Sequence, residues 1–192
     1  IKNKDAHTPL MLAVVKRRNG MARLLMENGA DIETRDTSRR APLHAAVLND
    51  NPEIFEALLN AGANPESRDK DGRTPLHYTA EKGWLAQTRR LLDAGTAVDN
   101  PAEDGKTALH VAGSRGWREI MELLISRGAN PNARDGAGRS PLFEVLESGH
   151  VLCGDLLLNA GADPSIEDQD GQTLLHAAAR SESVMAVQWA LN

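Results

Sequence analysis

A single cysteine, Cys153, stands among the 192 residues. No disulfide can close within the chain, and a reducing intracellular setting, cytoplasmic or nuclear, is expected. Aromatic residues make up only 3%, too few for the stacking platforms that hold single-stranded nucleic acid. Positive charge is not in excess either. Twenty-two Lys and Arg stand against 27 Asp and Glu, a net charge of −5, whereas a chain that grips nucleic acid through bulk charge is basic. No specific nucleic acid is therefore expected as a partner. No apolar run approaches the ~20 residues that a membrane-spanning helix needs, and no G-x-x-x-x-G-K-[ST] phosphate cradle occurs.

What the chain does have is periodicity. Residues 69–77 read DKDGRTPLH, 102–110 read AEDGKTALH and 135–143 read DGAGRSPLF. Equivalent positions fall at Thr8, Ala41, Thr74, Thr107, Ser140 and Thr173, each step being 33 residues. A second series, Gly29, Gly62, Gly95, Gly128 and Gly161, keeps the same step. A fixed interval of this length marks a repeat architecture.

Each unit reads as helix, tight turn, helix and projecting finger. Thr74 suits a helix N-cap that offers its hydroxyl to unpaired amides, and Pro75 suits the first helical position. Leu76 and Ala80 begin an apolar stripe that Gly83 ends. In EIMELLISRG (119–128) Ile120, Leu123 and Leu124 share one helical face, and Gly128 suits a left-handed C-cap. The link ANPNARDGAG has no helical period, and its Asn, Pro, Asp and Gly favour a hairpin-like turn. Neither short helix can bury its stripe alone, so neighbouring units must stack.

T-P-L-H at a period of 33 resembles the ankyrin repeat family. The resemblance covers essentially the whole chain and implies an all-α repeat solenoid over 1–192, with helix-turn-helix units and β-hairpin-like fingers. The units are 3–35, 36–68, 69–101, 102–134 and 135–167, with a partial one at 168–192. It implies a non-catalytic protein–protein interaction module without a cofactor. A structural spacer, or the regulatory array of a larger protein with its catalytic part elsewhere, is the alternative. The chain opens inside a finger and stops within a second helix, so further repeats or domains are expected on both sides.

The pattern lapses in places. Repeat two has Ala41 at the helix start and Arg39 in place of the turn glycine. In repeat three Gln87 and Arg90 stand where repeat four has Ile120 and Leu123. Pro101 and Ala102 replace the Arg-Asp pair found at 35–36, 68–69 and 134–135. These lapses predict a weaker seam between repeats three and four.

Candidate chemistry is thin. His44, His77, His110 and His176 recur at one place, so stacking sets them about 10 Å apart, too far to converge on a zinc ion. They read as structural, bonding finger backbone and cap hydroxyl. Carboxylates are assigned to fingers, turns and outer helix faces, leaving no site for acid–base catalysis. Cys153 aligns with Ile54 and Ile120 and reads as a small buried hydrophobe.

The surface offers more. Arg40, Arg73, Lys106 and Arg139 precede the helix starts, in line with His7 and Gln172, and Arg35, Arg68 and Arg134 occupy a finger position. Both positions resemble those lining the concave face of ankyrin proteins. Lys82 and Arg115, 33 residues apart at the ends of first helices, join this candidate surface. So do Trp84 and Trp117, read either as aromatic contact anchors or as local packing. The expected ligand is an acidic extended or helical protein segment, with the compensating acid on second helices at Glu53, Glu56, Glu119 and Glu122. Asn132 resembles a family position that asparaginyl hydroxylases modify, where the other repeats carry Glu33, Glu66, Asp99 and Ser165.

Five of six repeats start the first helix with Thr or Ser. Ala41→Thr is therefore expected to raise stability by roughly 0.5–2 kcal/mol, read as a higher unfolding midpoint.

Overall fold

The computed structural model describes residues 3, 4 and 6–191; residues 1, 2, 5 and 192 of the expected solenoid lie outside the described residues. Among the described residues twelve helices follow one another in six pairs: α1 (Pro9–Val15) with α2 (Asn19–Glu27), α3 (Pro42–Leu48) with α4 (Pro52–Asn60), α5 (Pro75–Lys82) with α6 (Leu85–Asp93), α7 (Ala108–Arg115) with α8 (Arg118–Ser126), α9 (Pro141–Glu147) with α10 (Val151–Asn159), and α11 (Leu174–Arg180) with α12 (Val184–Ala190). First helices stack on first helices and second helices on second helices. One apolar core runs the length of the stack, from Leu10 and Val14 through Leu43, Leu76, Leu109 and Leu142 to Leu174. The architecture is an all-α repeat solenoid.

No strand forms among the described residues; each finger is a turn closed by two backbone hydrogen bonds. In repeat three Asp69 N–H reaches Arg73 O at 3.0 Å and Gly72 N–H reaches Asp69 O at 3.2 Å. The aspartate at the head of the turn organises it. Asp69 Oδ1 accepts the amides of Asp71 and Arg73, each at 2.9 Å. Asp36, Asp135 and Asp168 do the same for their own fingers. The turn needs a left-handed residue, and Gly72, Gly105, Gly138 and Gly171 supply it at φ of 70–81°; Arg39 is held there at φ 59°.

The cap chemistry differs from the expected form. His77 Nε2 faces Lys106 O at 3.0 Å. A carbonyl can only accept, so Nε2 carries the hydrogen and Nδ1 is the acceptor. Nδ1 then takes the Thr74 amide at 3.1 Å and the Thr74 hydroxyl at 2.9 Å. The hydroxyl therefore serves the imidazole instead of the helix amides. His110 repeats this arrangement with Thr107 and Arg139 O, and His44 with the Ala41 amide and Arg73 O. Thr8 caps in the ordinary way, accepting from Met11 N–H at 3.2 Å, because a methionine stands where the ring would be.

His44, His77 and His110 thus tie their repeats to the backbone of the next, whereas His176 bonds only Thr173 of its own repeat; two further series of ties run alongside. Arg35 Nη1 donates to Arg68 O at 2.7 Å, while Arg68 and Arg134 donate to Pro101 O and Glu167 O. Glu33, Glu66, Asp99 and Asn132 accept the amides of Asn64, Ala97, Asn130 and Asp163.

The expected weak seam is partly relocated. Arg90 reaches back to repeat two, 3.1 Å from Asn60 Oδ1 and 3.4 Å from Glu56. Of the neighbouring second helices, α4 and α6 pack least closely. The polar residues of α6 therefore loosen the seam between repeats two and three. At the seam between three and four the lapse is in the finger: Pro101 has no side-chain donor to give, and Ala102 cannot organise the turn.

Two predictions follow from the turn and from the rings. Arg39→Gly relieves a left-handed side chain that costs roughly 1–2 kcal/mol, less the extra entropy of glycine; a net gain of about 1 kcal/mol should appear in urea unfolding. Burial lowers the pKa of His44 and His77 from 6.5 to about 4 and that of His110 in the same direction. Between about 4 and 6.5 the unfolded chain holds more protons than the folded one, so stability falls as pH drops through that window and is insensitive to these groups above it. Each of His44 and His77 accounts for at most about 3 kcal/mol. Urea midpoints from pH 7.5 to 4.5 should show this slope, shallower in His77→Gln.

Candidate functional site

The fingers and first helices form one face, and the basic row lies on it because the histidines hold its backbone. The carbonyls that His44, His77 and His110 grip belong to Arg73, Lys106 and Arg139. Their side chains are partly exposed, from 21 to 27%, with Arg40 at 35%. All four are ion-paired. Arg40 meets Asp36 at 3.0 Å. Arg73 meets Glu81 at 2.6 Å and lies over the Tyr78 ring, 4.3 Å from its centroid. Lys106 meets Glu144 at 2.8 Å, and Arg139 meets Glu144 at 3.0 Å and Glu147 at 2.8 Å.

The acid that balances this row is not where the sequence placed it. Glu53, Glu56 and Glu122 pair with Arg23, Arg90 and Arg118 on second helices. The row is instead balanced by Glu81, Glu144 and Glu147 on first helices and by the finger aspartates. Glu144 is buried at 7% exposure, which corrects the assignment of carboxylates to outer faces. Burial alone would raise the Glu81 carboxyl, but hydrogen bonds from Arg73 and Arg115 outweigh it and hold the pKa low. For Asp69 burial is likewise overcome, by Tyr78 and by the amides of Arg73 and Asp71. Tyr78 donates to Asp69 Oδ2 at 2.5 Å, and burial with that bond pushes its own pKa up. These groups are fixed in one charge state at neutral pH, as a binding face requires and a proton-transfer site does not.

The remaining candidates divide. Arg35, Arg68 and Arg134 grip finger carbonyls. Lys82 meets Asp50 at 3.1 Å, and Arg115 meets Glu81 at 2.7 Å. Trp117 lies against Gly83, where a Cβ would come within 2.8 Å of the ring, and its Nε1 donates to Glu81 O at 3.0 Å. It is 40% exposed, whereas Trp84 is partly buried against the core. The two indoles are not equivalent, since repeat two offers Asp50 where repeat three offers Gly83. Asn132 is bonded at both ends, to Gly161 O at 2.9 Å and to the Asp163 amide at 2.7 Å. A modifying enzyme would have to break both bonds.

Other chemistry finds little footing. Among the described residues no group of three or more His, Cys, Asp or Glu is placed to hold a metal ion. Cys153 is buried, which pushes its thiol pKa up and away from nucleophilic use. Among the described residues no helix is long and apolar enough to cross a membrane.

Two site features escaped the sequence reading. Glu33, Glu66, Asp99 and Asn132 are all oxygen acceptors in register, a signal that marks a staple more readily than a modification site. The alternation of Tyr78, Val111 and Glu144 at one position of the first helix was also legible, though its meaning depends on what packs above it.

A family model described as ankyrin repeats (3 copies) matches residues 1–69 and 43–135. The pairs α9/α10 and α11/α12 lie beyond the matched residues and continue the same helix-turn-helix pattern. A search of curated proteins returns no match. Ankyrin repeats generally mediate protein–protein interaction and are typically non-catalytic. The 33-residue period, the paired helices and the matched residues together place this chain in the ankyrin-repeat family.

Proposed function

We propose that the chain is a non-catalytic protein-interaction module whose finger and first-helix face binds an acidic, extended or helical segment of a partner protein. The observation that carries this reading is the state of the finger arginines. Arg68 and Arg134 spend their hydrogen bonds on neutral carbonyls, and neither has a carboxylate within ion-pair distance among the described residues. Their charge remains on the finger face, Arg134 exposed and Arg68 half-buried, while the aspartates beside them, Asp69 and Asp135, are buried. Two finger charges are thus left without a carboxylate of their own, in a chain whose net charge is −5. Such an arrangement steers an acidic segment toward the fingers and turns a long polyanion away.

The row beneath contributes by exchange. Arg40, Arg73, Lys106 and Arg139 are held by intramolecular carboxylates, so an incoming acid shares their donors and meets side chains already ordered, which lowers the entropic cost of binding. Reversing Arg73 or Lys106 to Glu would set like charges against Glu81 or Glu144 and disturb the fold, so the outer arginines are the better probe.

The test uses a fluorescein-labelled peptide with Glu at every third position and its Gln counterpart. The chain is expected to bind the Glu peptide with an affinity that falls as salt rises. Arg68→Gln with Arg134→Gln should weaken it about three- to tenfold and flatten the salt dependence, at roughly 0.2–1 kcal/mol per exposed pair. Equal binding of both peptides, or an affinity indifferent to the two substitutions, would sink the proposal.

A further inference from the structure

We infer that the finger side of the seam between repeats three and four contains a carboxylate-binding subsite, made by the two small residues Ala102 and Val111, into which one Glu or Asp of an acidic protein ligand inserts. This rests on the reading above and names its anchor point.

The subsite is a place to which repeats two, three and five bring a finger carboxylate of their own. In repeats two, three and five the finger opens with Asp36, Asp69 and Asp135, each no more than 8% exposed. One oxygen of each carboxylate takes two finger amides. The other meets Arg40 of the same finger at 3.0 Å in Asp36 and the Tyr78 hydroxyl of the first helix at 2.5 Å in Asp69. In repeat four both fillers are missing. Ala102 stands in the place of the aspartate and Val111 in that of Tyr78 and Glu144.

The space left is a cavity of about 190 Å³ lined by Ala102, Val111, Arg73, His77, Lys106 and Arg115, among others. That is ample against the ~30 Å³ that one water occupies in the liquid. The equivalent cavity of repeat two, about 260 Å³, has Asp36 in its wall. In the finger of repeat four the head aspartate is missing; the Lys106 amide turns to Asp104 Oδ1 at 3.0 Å, and one recipient remains. The Asp104 amide, equivalent to the amides of Ser38, Asp71 and Ala137 that bind the aspartates, has no protein acceptor among the described residues.

The cations around the cavity can serve a guest. Lys106 has one carboxylate contact, Glu144 at 2.8 Å in repeat five, and an ammonium has three hydrogens to donate. Arg73 and Arg115 share the single carboxylate of Glu81, at 2.6 and 2.7 Å, and each guanidinium has further N–H groups. Asp104 also stands in the wall, so Arg73, Lys106 and Arg115 face Glu81, Asp104 and the Glu144 that Lys106 shares with Arg139. A guest carboxylate draws on the N–H groups that these pairs leave over. One anchor of this kind is weak, with a Kd on the order of millimolar or above.

The experiment is a 15N-labelled amide titration of the whole chain with the peptide acetyl-Gly-Ser-Glu-Ser-Gly-amide, beside its Gln counterpart and inorganic phosphate. The Glu peptide should shift the Asp104 and Lys106 amides saturably, and at least about tenfold more weakly in Ala102→Asp, which supplies the missing carboxylate internally. That variant should also unfold at a higher midpoint. Val111→Tyr, which fills the cavity without charge, provides a second block. The inference is overturned if the shifts are equal at the fingers of repeats two and three, if the Gln peptide or phosphate alone reproduces them, or if both variants bind as the parent does. A long acidic peptide that loses affinity in Arg68→Gln/Arg134→Gln but not in Ala102→Asp would leave the broader reading standing and remove this subsite.

Discussion

The hydrogen bond from a histidine Nε2 to the carbonyl just before the next helix is the contact on which the rest of the molecule depends. It adds a second donor to a carbonyl that its own finger turn already bonds, and so ties the finger to the neighbouring repeat. It also fixes the ring tautomer, so that the opposite nitrogen can take the cap amide and hydroxyl of its own repeat. One imidazole therefore closes a helix start and sets the distance to its neighbour. Nδ1 can accept only while the ring is neutral, and burial has lowered the pKa of these histidines, so the stack carries an acid sensitivity.

The same bond positions the candidate face. The gripped carbonyls belong to Arg73, Lys106 and Arg139, so the spacing of the basic row is the spacing of the repeats. What each base then does is decided by the helix beside it. Tyr78 gives Arg73 a ring to lie on, Glu144 draws Lys106 and Arg139 together, and Val111 gives nothing. A regular backbone thus carries an irregular pattern of charge, which is how one scaffold acquires a particular partner.

Stability in such a stack is shared between neighbours, because every staple crosses a repeat boundary. Where a repeat lacks one staple the others carry the seam. Repeat four has no finger aspartate and receives no arginine from Pro101, yet Asp99 still takes the Asn130 amide, Trp117 still bonds Glu81 O, and Arg127 meets Asp93 at 2.8 Å. The seam between repeats two and three is loosened in its second helices, and there Arg68 and His44 hold the fingers. The two lapses lie on different layers of the stack.

The period of 33, the helix pairs, the structural histidines and the basic row were all legible in the sequence, because each depends on residues a fixed number of steps apart and on local backbone preference. Arg39 and Ala41 were legible as lapses for the same reason. The acid partners were not. Glu144 reaches Lys106 from 38 residues away, and whether a carboxylate lies on an outer face or under a finger depends on how the helices stack. Nor could the sequence say that Trp117 covers Gly83 while Trp84 packs into the core, or that Arg90 turns toward repeat two. Linear spacing determined the solenoid, since stacking an apolar stripe has few solutions; the charges are long side chains with many reachable partners, and only the packed structure chose among them.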